Sequence, residues 1–348
     1  MIFEDVVGLA RPREVLGKIL ASGRVPHALL FHGPEGVGKR TLALRFAASL
    51  LCDTPRETTH EACGSCVSCR KADHGNHPDL LVIGRLPKDA AADDEEPGEG
   101  DLRAVITVGQ IREMSEHAAY APREGPRRVF VVDSADRMKL EAQNALLKTL
   151  EEPPGRAVIL LVASRPHALL ATVRSRCFQV GFAAMAPAAL AEALERRGVA
   201  PEEARRRAAL SDGRPGRALT VDVQATGERR DAVLGTMIRL AASPRGALSL
   251  GDDAAALAGE SEDELVEGIE LVASLARDAA RLASGHSEVL HADAGPRLGE
   301  LARVLDAGAA AEIVALASRL RADLRINANR TLVAETLLAA VAGAIPAA

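Results

Sequence analysis

A parallel α/β fold followed by an all-helical segment is what this 348-residue sequence predicts, on three observations. From Ala28 to about Phe182, short apolar runs alternate with amphipathic stretches, the texture of a parallel sheet covered on both faces. The first apolar run leads through a glycine-rich turn directly into a helical pattern. Beyond Phe182 the strand signals stop and only helical periodicity continues.

HALLFHG reads as the first strand, and Lys39 to about Leu50 as the helix after it. DLLVI (Asp79 to Ile83), RRVFVVD (Arg127 to Asp133), AVILLVA (Ala157 to Ala163) and CFQVGF (Cys177 to Phe182) supply four more strands. GQIREMSEHAAY and LEAQNALLKTLEE are the intervening helices, the second stopped by Pro153 and Pro154, which cannot continue a helix. The stretch 86–101 is acidic, contains proline and glycine, and lacks apolar periodicity, which predicts a mobile surface insertion. Past Phe182, PAALAEALERRG and PEEARRRAALSDG predict a helix pair, each opened by a proline suited to a first turn. ERRDAVLGTMIRLAAS, SEDELVEGIELVASLARDAARLAS and NRTLVAETLLAAVAGAI predict longer helices, and in SEDE a capping box joins Ser261 to Glu264.

Composition bounds the function. With 47% hydrophobic residues and a length suited to two or three domains, the chain buries substantial cores. A formal net charge of −5 provides no global field for nucleic acid or a membrane surface, so any DNA contact must be local. With no Trp, one Tyr and six Phe, base stacking in the manner of a single-strand binder is disfavoured. MIFEDVVGLARPREVL has no signal-type apolar run and no stretch reaches the ~18 apolar residues a bilayer requires, so a cytoplasmic chain with no membrane role is expected.

The turn in FHGPEGVGKRTLA matches G-x-x-x-x-G-K completely, between an apolar strand and a helix. Gly33, Gly36 and Gly38 allow successive amides to face phosphate oxygens at the positive end of a helix, and Lys39 is placed to reach the outer phosphates. ATP or ADP is therefore the expected ligand. The next residue in such loops is Ser or Thr, whose hydroxyl coordinates Mg2+; here it is Arg40, with Thr41 one place late and about 100° round the helix. Asp133, closing VFVVD, stands where a carboxylate holds the magnesium ion or its water, but position 134 is Ser, too weak a base to activate water. These two substitutions predict phosphate binding without efficient turnover and weaken the case for Mg2+.

Of five cysteines, four lie in LLCDTPRETTHEACGSCVSC. Cys52, Cys63, Cys66 and Cys69 predict a closed tetrahedral site for structural Zn2+, with no open position for catalysis. His60, His74 and His77 are the nearby substitutes, more simply read as ordinary polar side chains, and Cys177 reads as a buried strand residue.

Several stretches together resemble one family, the delta-prime subunits of the bacterial DNA polymerase III clamp loader within the AAA+ ATPases. They are RVPHALLFHGPEGVGKRTLA, the LLC…CGSCVSC module, NHPDLLVI, ITVGQIREM, VFVVDSADRM, NALLKTLEEPP, LLATVRSRC and NANRTLVAETLL, in the family's order over almost the whole chain. The related gamma/tau subunits usually keep Lys-Thr in the loop, an acidic residue after the aspartate and extra carboxy-terminal length, all lacking here.

The resemblance implies a hetero-pentamer with gamma/tau and delta subunits that opens a sliding clamp and sets it on primed DNA. This chain would be the stationary scaffold, with weak or no ATPase activity of its own. Arg176 of Ser175-Arg176-Cys177 would be an arginine finger acting in trans on a neighbour's ATP, with Arg174 a surface charge. Ser164 would be the polar γ-phosphate sensor, while the lid sensor arginine is displaced: Gly216 stands there and Arg217 is one step off. Residues 1–182 would form a AAA+ domain with the zinc module (52–69) and acidic insertion (86–101), 183–223 a helical lid and 224–348 a helical collar. DNA contacts would go to phosphates, with Arg205, Arg206 and Arg207 as candidates. The alternatives are a gamma/tau-like loader ATPase that hydrolyses ATP itself, and a free-standing zinc-binding NTPase.

Overall fold

The apolar runs become one five-stranded parallel sheet. The computed structural model describes residues 9–85, 105–242, 250–287, 289–324 and 329–343; the acidic stretch 86–101 lies outside them. Two compact units result, one comprising Met1–Met185 with Arg214–Gly216, the other Ala186–Gly213 with Arg217–Ala348.

In the first unit, α1 (Ala10–Ser22) precedes β1 (Ala28–His32), α2 (Lys39–Leu51), α3 (Val67–Asp73) and β2 (Leu80–Ile83). Then follow α4 (Val108–Ala119), β3 (Arg128–Val132), α5 (Leu140–Glu151), β4 (Ala157–Ala163), α6 (Ala171–Ser175) and β5 (Phe178–Gly181). Strand order is β2-β3-β4-β1-β5, with every pairing parallel. All seven residues of β4 and all five of β3 are buried, as strands covered on both faces require, whereas β5 at the edge buries Val180 alone.

The period-2 alternation of strand side chains divides the core. Leu29, Phe31, Val129, Val131, Leu160 and Val162 face one way and pack with Leu16, Leu42 and Phe46. Leu30, Phe130, Val132, Ile159 and Leu161 face the other way and pack with Ile111, Met114 and Leu146. Phe31 lies 6.5 Å from Phe46 and 5.8 Å from Phe182, ring centre to ring centre, so two further rings pack against the Phe31 ring of β1, the strand that leads into the glycine turn.

Capping chemistry sets several boundaries. Thr107 and Gln110 open α4 as a reciprocal box, with Gln110 Nε2 also donating to Gly84 O at 3.0 Å. The sequence reading missed that box. Strand β2 starts at Leu80, one residue past the expected Asp79, whose carbonyl still accepts from the Val129 amide at 2.8 Å; the Asp79 carboxylate accepts from the amides of Arg123, Glu124 and Gly125 at 2.7, 2.7 and 2.8 Å.

The second unit begins with α7 (Pro187–Glu195) and α8 (Pro201–Leu210), packed as a pair, then α9 (Pro215–Thr220), whose first residues count with the first unit. It continues as α10 (Val223–Ala242), α11 (Gly251–Ala258), α12 (Glu262–Ala283), α13 (Gly295–Val304), α14 (Ala307–Asp323) and α15 (Arg330–Val341). In α12, Leu265, Ile269, Val272, Leu275, Ala276 and Ala279 form an apolar stripe at helical spacing inside this unit's own core. Ser261 caps α12 as expected, but Glu264 accepts from the amide of Glu260 and not from the cap's own amide. Helix α10 starts five residues earlier than the sequence pattern suggests. No helix among the described residues is long and apolar enough to cross a membrane.

Candidate functional site

The strand order puts the carboxyl ends of β1, β4 and β3 side by side. His32 is in register with Ala163, and Val132 with Leu161, so the residues just past these strand ends, Gly33, Ser164 and Asp133, converge on one edge of the sheet. A ligand crevice belongs at such an edge.

Gly33 leaves β1 at φ 150°, and a Cβ there would stand 2.2 Å from the carbonyl oxygen of Phe182, which is itself tied to His32 O by its amide at 2.7 Å. Only glycine fits. Gly36 and Gly38 take φ of 77° and 94°, turning the chain into α2. The Gly36 carbonyl accepts from the Gly216 amide at 2.8 Å, which is why Arg214–Gly216 count with the first unit.

Lys39 is buried, with all three ammonium donors engaged: Gly33 O at 2.8 Å, Pro34 O at 2.6 Å and Ser164 Oγ at 3.0 Å. The loop lysine and the residue expected to sense a terminal phosphate are thus in contact. Burial pulls the Lys39 ammonium down to about 8, against the opposing pull of Glu35, Asp136 and Asp133. Burial, with the charges of His167 and Lys39, also lowers His32.

Arg40 turns to Asp133, its Nε 3.1 Å from Oδ2, with 57% of the arginine side chain exposed. Thr41 is exposed as well. Ser134 adopts the left-handed conformation at φ 58°. Two residues on, Asp136 performs a positioning role that the sequence reading missed. Its carboxylate accepts from the Ser164 amide at 3.1 Å and from Arg165 Nε at 3.4 Å, holding the end of β4. The only hint was a second acidic residue in VVDSAD.

Arg176 lies just past α6, with 36% of its side chain exposed. It pairs with Glu151 Oε1 through Nη2 at 2.8 Å and donates through Nη1 to Thr172 O at 3.1 Å. Arg174 meets His167 Nδ1 at 3.3 Å. Arg206 and Arg207 pair with Glu202 and Glu203 one helical turn back, the ordinary fate of a solvated face. In the second unit, Arg217 reaches Asp212 at 3.4 Å and Glu267 at 3.9 Å.

The four cysteine sulfurs all lie within 4.8 Å of one another and could hold a metal ion. Cys52–Cys66, Cys63–Cys69 and Cys52–Cys69 are 3.8, 3.9 and 3.5 Å apart. A zinc tetrahedron with bonds of about 2.3 Å has edges of about 3.8 Å, so the donor set fits. Backbone amides of Cys63, Cys66 and Cys69 point at sulfurs at 3.3 Å, and the Thr54 hydroxyl and Ser65 amide help bring the Cys63 thiol down to about 5. Burial moves Cys52 and Cys69 the other way. The histidines stay outside: His74 Nδ1 contacts Arg70 O, and buried His77 accepts from the Asp79 amide. Cys177 is buried apart from the cluster, its thiol pushed up to about 12 by desolvation.

Comparison with known proteins places these residues in a family. The model described as DNA polymerase III, delta subunit, matches residues 10–186. DNA polymerase III subunit delta' of Pseudomonas aeruginosa is 40% identical over 153 residues, 44% of this chain and 42% of that protein. The delta' subunit of Bacillus subtilis is 32% identical over 195 residues, 56% of this chain and 54% of its own length. The tau subunit of Escherichia coli is 35% identical over 177 residues, 51% of this chain and 25% of its own. The chain thus spans about half or less of the length of these relatives, and the family match over 10–186 falls on the unit that carries the glycine turn and the cysteines. This chain belongs to the DNA polymerase III delta subunit family.

Proposed function

We propose that the chain is a delta-prime subunit of a bacterial clamp loader, a scaffold that grips a nucleotide without hydrolysing it and lends Arg176 to a neighbour. The observation that carries this reading is the pairing of Arg40 with Asp133 beside Ser134, in a loop whose phosphate-binding geometry is otherwise complete. The loop amides and Lys39 would hold the phosphates of ATP or ADP, with Lys39 exchanging its carbonyl partners for phosphate oxygens. Mg2+ does not fit: a cation at about 2.1 Å from Asp133 would lie against the guanidinium. With Ser134 offering only a hydroxyl, no group at that position takes the proton of an attacking water.

Residues 183–223 would then act as a lid and 224–348 as a collar within a pentamer that includes gamma/tau and delta subunits, the whole opening a sliding clamp and setting it on primed DNA. Cys52, Cys63, Cys66 and Cys69 would hold structural zinc, fixing the 52–69 segment against α2. Arg176, partly exposed past α6, would stabilise charge on the γ-phosphate of the adjacent subunit's ATP. Reconstitution with loader subunits tests this directly. Isolated chain is expected to hydrolyse ATP negligibly, and Arg176→Ala to slow the assembled loader at least about tenfold with assembly unchanged. Steady turnover by the isolated chain, abolished by Lys39→Ala, would instead favour the gamma/tau-like ATPase.

A further inference from the structure

At the glycine turn the Arg40–Asp133 pair stands where a nucleotide site of this kind needs a metal. A divalent cation bridging phosphate to protein needs oxygen ligands, and magnesium holds them at about 2.0–2.1 Å in a near-octahedral shell. Position 40 supplies five N–H donors and no lone pair. Its Nε is already 3.1 Å from the Asp133 carboxylate, and the Asp133 amide is fixed on Ile83 O at 2.8 Å. The next carboxylate in the turn, Asp136, is committed to the Ser164 amide and Arg165. Both carboxylates of this turn therefore have partners within the fold.

We infer that the loop takes a nucleoside polyphosphate free of metal, the Arg40 guanidinium standing in the place of the divalent cation. This rests on the proposal that the loop cradles phosphate. The charges are consistent with it. Arg40 and Asp133 cancel, leaving the Lys39 ammonium and the loop amides to face the ligand, and the exposed part of the guanidinium has donors in excess of the one turned to Asp133. A magnesium complex of the same nucleotide would bring its cation against this guanidinium and lose the phosphate oxygens that the donors need. Magnesium, which tightens binding in an ordinary loop of this type, finds here no hydroxyl at position 40 and an Asp133 carboxylate already turned to a guanidinium. Fewer fixed positive charges than in a metal-loaded site also favour the diphosphate over the triphosphate.

The experiment titrates ADP into the full chain in EDTA and again in excess Mg2+, alongside Arg40→Thr and Arg40→Lys, with circular dichroism to verify folding. For the unaltered protein, the Kd in EDTA is expected to equal or be lower than that in Mg2+, with any difference the other way below about threefold. Arg40→Thr restores an oxygen next to Asp133 and is expected to bind ADP at least about tenfold more tightly with Mg2+ than without, while Arg40→Lys stays indifferent to the metal. Asp133→Asn provides an independent check, because it releases the guanidinium and is expected to tighten ADP binding in EDTA by at least about twofold. Magnesium-dependent binding by the unaltered chain overturns the inference and leaves the phosphate-loop reading standing. An Arg40→Thr protein that folds, binds ADP and ignores Mg2+ overturns it too. Failure to bind ADP in either buffer overturns both.

Discussion

Replacing Asp79 is expected to be among the most damaging single changes in the first unit, although the residue is distant from the glycine turn. Its side chain is fully buried and accepts from three consecutive amides, Arg123, Glu124 and Gly125, at 2.7–2.8 Å, with Arg128 Nε at 3.5 Å. Burial alone would raise its pKa, but these donors together outweigh it and hold the carboxyl below the usual range. Hydrogen bonds to a charged group contribute about 1.5–3 kcal/mol each, so the three amides set an upper bound of about 5–9 kcal/mol. Arg123 and Glu124 are exposed, and water would reach their amides once the carboxylate is gone, which reduces the loss. Arg128 is left buried without its counter-ion. For Asp79→Ala the expected loss is about 3–5 kcal/mol. Asp79→Asn keeps the shape but turns an NH2 group toward donors, for an expected loss of about 2–3 kcal/mol. Urea unfolding at neutral pH measures both, as a fall in midpoint at constant slope. The pH response follows from linkage. A depressed carboxylate stabilises the fold above its unfolded value, about 3.9, and that contribution is lost as pH falls through its folded value, so unaltered and Asn proteins should converge in acid. An Asp79→Ala protein within about 1 kcal/mol of the parent would refute the amide-anchor account.

Two other expectations concern the loop and the thiols. Because the free Lys39 ammonium titrates near 8, ADP affinity should be flat from pH 6.5 to 7.5 and weaken above 8, approaching about tenfold per pH unit, with Lys39→Arg removing the dependence; a flat profile to pH 9.5 would show that the ammonium does not meet the ligand. Protein purified without chelator should carry about one zinc per chain, and Cys69→Ser should bind it at least about tenfold more weakly in a chromophoric chelator competition; folded, metal-free protein would exclude the structural role.

Central strands were legible because an uninterrupted apolar run such as AVILLVA suits a strand covered on both faces, and β4 has the expected bounds. The cysteine cluster was legible from spacing alone, since four thiols that close in sequence have few other arrangements. Edges were harder. Helix α1 lacks a side-chain cap, and α6 spans five residues, too short for a periodic signal. Within the site, the replacement of a hydroxyl by Arg40 was evident, but its destination was not: a long side chain has many directions, and only the fold brings Asp133 within 3.1 Å. Asp136 and Glu151 escaped for the same reason, each acting on a residue more than twenty positions away.

Glu151 gives the partly exposed arginine past α6 a resident anion. A phosphate arriving from another protein would therefore displace a carboxylate already in place, so the driving force is the difference between two attractions and not the whole of one. Such a swap favours the more highly charged visitor. In the assembly proposed above, an adjoining subunit holding a triphosphate would draw the guanidinium away, one holding a diphosphate would leave it at home, and a single side-chain pair would thereby make docking report what the neighbour carries.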